Sequence, residues 1–204
     1  MTSSFMALSL TALAALAGAS PLPTFSEGFK LQIQVAKPWE DFSPPVHGRY
    51  VVGVHVGAGT DMVTPALGGE SSTFHTNGTD ADLWAARGTV VAGFGRYAQS
   101  WQNVRSPDDF ELAGATLRYG PGTEGVRVIF ERGDLMLGPG QYMVCDRKLP
   151  YGLSVEMTVA AAVPAGCVAV TLLPVCADLP PAAAGDPADG DDGQTVSRTQ
   201  CKKL

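Results

Sequence analysis

Phe29-Lys30-Leu31-Gln32-Ile33-Gln34-Val35-Ala36 decides the fold class. Large apolar side chains fall at every second position, so an extended chain presents Phe29, Leu31, Ile33 and Val35 on one face. The other face carries Lys30, Gln32 and Gln34. Such a strand is half-buried, as in an antiparallel sheet with one face on a core. The pattern recurs at 49–56, where Tyr50, Val52, Val54 and Val56 share one face and Arg49, Val51, Gly53 and His55 the other.

Working outward, further strands are expected over 82–86, 89–94, 111–118, 126–131, 141–145, 153–161 and 167–173. Most are punctuated by Gly and Pro, as at Gly120-Pro121-Gly122, Gly138-Pro139-Gly140, Pro150 and Pro164. Residues 57–80 read as a long loop or two weak edge strands. No window sustains a helical stripe beyond the first residues. The expectation is an all-β, single-domain antiparallel sandwich or jelly roll with long loops.

The chain is 204 residues long with a formal charge of -6, and its first nineteen residues contain no Asp, Glu, Lys, Arg or His. An apolar run from Met6 to Leu16 leads into Ala17-Gly18-Ala19 and Ser20-Pro21, the order of a signal peptide cleaved after Ala19. The run is too short for a membrane span. Residues 20–179 are read as a secreted, extracellular β-domain. Residues 180–204 are read as a disordered Pro/Gly/Asp-rich linker and a Cys-tethered tail. The acidic balance argues against nucleic acid or an anionic membrane as partner.

Cys145, Cys167, Cys176 and Cys201 are an even set, read as two disulfides in an oxidising compartment. A zinc site would offer closer pairs than these. A strand over 168–173 would hold Cys167 and Cys176 too far apart to pair. An up-down-up meander of 141–145, 153–161 and 167–173 favours Cys145 with Cys176 and Cys167 with Cys201. One crossover connection in place of a hairpin would reverse that choice.

Compact catalytic signatures are missing. Gly57-Ala58-Gly59 follows a strand, but Met62 stands where a dinucleotide fingerprint needs its third glycine, so the glycines read as a tight turn and no cofactor is implied. His47, His55 and His75 have no spacing that forces a metal site or a triad. Glu111, Glu131, Glu156 and Asp134 are the carboxylates that a two-acid glycoside hydrolase could draw on, though the glutamates fall in expected strands, where a solvent-facing sheet residue is the favoured reading. Asn77-Gly78-Thr79 fits an N-glycosylation sequon or a plain turn. Phe94, Tyr97 and Trp101 form a dense aromatic group, the candidate binding face, with core packing as the other reading.

Ser43-Pro44-Pro45-Val46-His47-Gly48-Arg49-Tyr50 and Gly53 to Gly59 resemble an uncharacterised, domain-of-unknown-function family of small secreted proteins from filamentous fungi. Tyr142 to Tyr151 and Val163 to Cys176 resemble further blocks of it. The resemblance implies secretion and a four-cysteine framework, and carries no activity or ligand. Three functions are left open: a non-catalytic extracellular or wall protein that binds glycan, a carbohydrate-active enzyme with two carboxylates, and an effector that binds a host protein.

Overall fold

The computed structural model describes residues 23–95, 97–106, 112–131, 133–160, 162–181 and 194–204. The stretch expected to be a signal peptide, the candidate Glu111 and residues 182–193 of the expected linker lie outside the described residues. In the first half the strands are β1 (Thr24–Ser26), β2 (Gly28–Val35), β3 (Val51–Gly57), β4 (Thr60–Pro65), β5 (Phe74–Asn77), β6 (Thr89–Ala92), β7 (Gln99–Arg105) and β8 (Leu112–Arg118). The second half adds β9 (Arg127–Glu131), β10 (Asp134–Gly138), β11 (Gln141–Leu149), β12 (Gly152–Thr158), β13 (Cys167–Ala177), β14 (Val196–Ser197) and β15 (Thr199–Cys201). A single turn of 3-10 helix spans Pro38–Glu40, and α1 covers Asp80–Trp84.

The main sheet runs β12-β11-β13-β2-β5-β6-β7-β8, and β12 also pairs with β8, so the path closes on itself. Closure leaves this ring no free edge. The β3–β4 hairpin is a branch of the same sheet. It bridges β2 at Gln32↔Tyr50 and lies against β8 at Thr60↔Arg118. The named strand pairs are antiparallel, in keeping with the half-buried alternation of β2. Ala58 at φ 48° sits between Gly57 and Gly59, both also at positive φ, which makes Gly57 to Gly59 the tight turn of the β3–β4 hairpin.

One core fills the ring. Phe29, Leu31, Ile33 and Val35 point inward, and across the register Val170 and Leu172 meet Val35 and Ile33. Rings then contact in series, from Phe29 to Phe74 (6.1 Å), Phe74 to Trp101 (6.0 Å) and Trp101 to Tyr142 (5.9 Å). The Trp101 indole N–H donates to Asn103 Oδ1 at 2.9 Å, which satisfies its polar edge inside the core. Burial pushes the Tyr142 phenol well above its ordinary pKa, with Asn103 and Trp101 opposing the shift, so the group stays neutral.

Two expectations need correction. Residues 82–86 are not a strand: Asp80–Trp84 is helical, because Thr79 and Asp82 form a reciprocal capping box and the segment has no β-branched residue to favour extension. The disulfides are Cys145–Cys167 and Cys176–Cys201, not the pairing that the meander favoured. The order β12-β11-β13 is the reason. The chain crosses from β12 past β11, so β13 runs antiparallel beside β11 and brings Cys167 opposite Cys145. The second bridge ties the C-terminal residues to the barrel, where β14 pairs with β5 and β15 with β1. No helix among the described residues is long and apolar enough to cross a membrane.

Candidate functional site

The outer face of β5, β6 and β7 carries Asn77, Thr89, Val91 and Ser100, and loops rise on its sides to enclose a polar groove of about 660 Å³. The first wall follows α1. Asp82 caps that helix and pairs with Arg87, whose Nη2 donates to Asp82 Oδ1 at 3.1 Å. Hydrogen bonds from Thr79, together with the Arg87 guanidinium, hold the Asp82 carboxyl below its usual range, so it stays charged and fixes Arg87 in place.

Tyr119 and Gly120-Pro121-Gly122 form the second wall. Gln102 Nε2 donates to Pro121 O at 2.8 Å and Thr123 N to Trp101 O at 2.9 Å, which dock the loop on β7. A side chain at Gly122 would meet Thr89 Cβ at 3.0 Å and Trp101 O at 3.1 Å, so glycine permits this approach. Tyr119 packs over Gly59 of the β3–β4 turn and remains 54% exposed.

The third wall is the C-terminal segment. Thr195 N donates to Asn77 Oδ1 at 2.6 Å, Gly78 N to Thr195 O at 2.9 Å, and Gln194 Nε2 to Gly95 O at 3.4 Å. The Cys176–Cys201 bridge anchors the chain that supplies it. Arg87, Glu124, Gln194, Thr89 and Ser100 thus give the groove donors and acceptors, and Tyr119 gives it a ring face. Trp84, 91% exposed, stands on α1 between Asp82 and Arg87 in sequence.

The aromatic group read from the sequence is divided. Trp101 is fully buried in the core and is no part of a binding face, because it occupies an inward position of β7 opposite Leu117. Phe94 is half-buried against His75, ring centroids 6.0 Å apart. Tyr97 is exposed, in the turn whose neighbours Gly95 and Ala98 line the groove. The aromatic ring that lines the groove is Tyr119. Its signal was the Gly-Pro-Gly turn after it, which ends the strand and turns its ring out.

The carboxylates separate too. Glu156 is largely buried and fully engaged: Arg147 donates to both oxygens at 2.9 and 2.7 Å, and Ser154 Oγ donates to Oε1 at 2.9 Å. It lies beside the Cys145–Cys167 bridge, and with both sulfurs in a disulfide that cluster has no thiolate for a metal. Glu131 and Asp134 face each other at the tip of the β9–β10 hairpin. Both line a second cavity of about 630 Å³ against the outer face of β2 and β13.

The Pro-Pro-Val-His-Gly block forms a loop held by its own hydrogen bonds. Asp41 accepts the amides of Phe42, Val46 and His47 at 2.7, 3.0 and 3.1 Å, closing a loop that contains the cis Ser43–Pro44 bond. Burial alone would raise the Asp41 pKa, but these three donors outweigh it and the net shift is downward. Val46 is driven into the core, and His47 Nδ1 accepts the Val35 amide at 3.1 Å, capping the end of β2. His55 pairs with Asp61 at 2.9 Å on the surface. The three histidines therefore serve three separate places.

A curated relative, the "Antigenic protein SchS34" of Stachybotrys chartarum, is 30% identical over 177 residues, which is 78% of this chain and 79% of that protein. No solved structure is matched. A family described as "Domain of unknown function (DUF7907)" matches residues 26–176, from the end of β1 through Cys176. The match takes in two walls of the groove and stops short of the third, at Gln194 and Thr195. From the ring of strands to the Asp41-capped loop, the chain belongs to the DUF7907 family.

Proposed function

We propose that the protein is exported and acts outside the cell as a non-catalytic binding protein whose ligand is a glycan held in the polar groove. The observation that carries this reading is the pairing of an exposed Tyr119 ring with fixed polar groups in one open groove. Sugars are bound in this way, with a ring stacked on a C–H face and hydroxyls met by side-chain donors and acceptors. Two disulfides suit an oxidising extracellular setting. Within the groove, Asp82 is held as a charged partner of Arg87 and a helix cap, which suits it to scaffolding rather than to donating a proton. The test is co-sedimentation of the leader-free protein with chitin, cellulose and β-glucan, with reducing sugar measured in the same tubes. Saturable binding without release supports the proposal.

A carbohydrate-active enzyme is the second reading, and one observation favours it. Glu131 and Asp134 are cross-strand partners beside a cavity, an arrangement from which a pair of carboxylates could act. Sugar release abolished by Glu131→Gln would select it.

A further inference from the structure

Asn77 ends β5 at the edge of the groove, and its side chain is held by the oxygen. Oδ1 accepts the Thr195 amide at 2.6 Å, whereas Nδ2 donates to no described residue, and Asn77 is one of the residues that line the groove. The next two residues are fixed in their turn. Gly78 donates to Thr195 O and adopts φ 140°, and the Thr79 hydroxyl is engaged with Asp82. A substituent on Nδ2 would disturb none of these bonds. It would leave the surface where the groove begins.

We propose that Asn77 carries an N-linked oligosaccharide whose core sugars lie along the groove, making the chain's own glycan its first occupant. The inference rests on the export reading above, since the donor is met in the secretory route. There, a polyprenyl-diphosphate oligosaccharide and a membrane-bound transferase act on Asn-x-Thr as the chain emerges. The bond from Asn77 Nδ2 to C1 of the sugar forms as the C1–O bond to diphosphate breaks. The diphosphate leaves with the electron pair, and the amide proton passes to a base. Tethering gives the attached sugar a millimolar effective concentration at the groove. It therefore competes with a free glycan, and the modified protein binds such a ligand more weakly than the bare one.

The test is to express the full chain in a secretory eukaryotic host and measure the mass and N-terminus of the product in the medium. Mass is measured again after an amide-cleaving glycosidase. Asn77→Asp serves as the unmodified reference, because it keeps the oxygen that accepts Thr195 N. Thr79→Ser keeps both the sequon and the cap, and should still be modified. The expected results are a chain that starts at Ser20, loses mass on treatment with Asn77 converted to Asp, and exchanges amide hydrogens at 87–91 and 119–122 several-fold more slowly than Asn77→Asp. An exported chain starting at Ser20 with Asn77 bare overturns the inference and leaves export standing. A glycan that leaves exchange unchanged overturns its placement in the groove. Retention inside the cell with the leader uncut overturns both readings.

Discussion

Cys145 and Cys167 stand directly opposite each other on β11 and β13, with Cα atoms 4.0 Å apart. Their bridge welds two neighbouring strands of the ring, whereas Cys176–Cys201 joins the ring to the segment that walls the groove. The two disulfides thus have different consequences.

Removing the second should release the wall. Their sequence separations, 22 and 25 residues, are similar, and the loop-closure entropy amounts to about 3 kcal/mol for each. Cys176→Ser/Cys201→Ser should lower the unfolding free energy by about that amount and increase hydrogen exchange at 194–201, measured by denaturant titration and mass spectrometry. A non-reducing peptide map should show 145 linked to 167 and 176 to 201.

Trp101 and Tyr119 should respond oppositely to truncation. Trp101→Ala empties the centre of the aromatic series and should cost about 3–5 kcal/mol, enough to unfold a marginal domain. Tyr119→Ala removes an exposed ring and should change stability by less than about 0.5 kcal/mol. Thermal melts of the two variants separate a core residue from a groove residue.

Asp41 should give the Pro-Pro-Val-His-Gly loop an acid-sensitive hold. Its pKa in the folded protein lies below the ordinary value of 3.8, so its stabilisation is complete above that value and is lost as pH falls through the depressed one. Asp41→Ala should cost about 1–2 kcal/mol at neutral pH. The difference from wild type should shrink at about pH 2, as read from urea midpoints at the two conditions.

Arg147→Met should leave the Glu156 carboxylate buried without its cation, at a cost of about 2 kcal/mol. A fully buried pair would cost more, but the Arg147 side chain is 32% exposed. Adding Glu156→Leu should restore much of the loss in a double-mutant cycle. Were Glu156 a reacting acid, its pairing with Arg147 and Ser154 would have to open first.

The fold was legible where side chains alternate. Phe29 to Val35 announced a core-facing strand, and β2 sits in the ring between β13 and β5 with that face buried. The disulfide pairing was not, because it depends on which side of β11 the chain returns, a long-range choice that the residues between Thr158 and Cys167 do not encode locally. Helix α1 could have been read from Thr79 and Asp82, whose spacing is that of a capping box. The groove was only partly visible. Asn77 and Tyr97 lie at or beside it, but Tyr119, Arg87 and Gln194 come together from segments far apart in sequence. Trp101 misled because aromatic density looks the same for a core and for a binding face until strand parity assigns each ring to a side.

Whether the groove holds glycan without cleaving it is tested most directly by a glycan-array titration of chains beginning at Ser20, as wild type, Tyr119→Ala and Trp39→Ala, with released sugar assayed in parallel. Trp39 is an exposed ring outside the groove and serves as the control. Saturable binding with no release is expected, weakened by about 0.5–1.5 kcal/mol of stacking energy in Tyr119→Ala and unchanged in Trp39→Ala. Absence of binding, binding indifferent to Tyr119, or release of sugar would contradict the proposal.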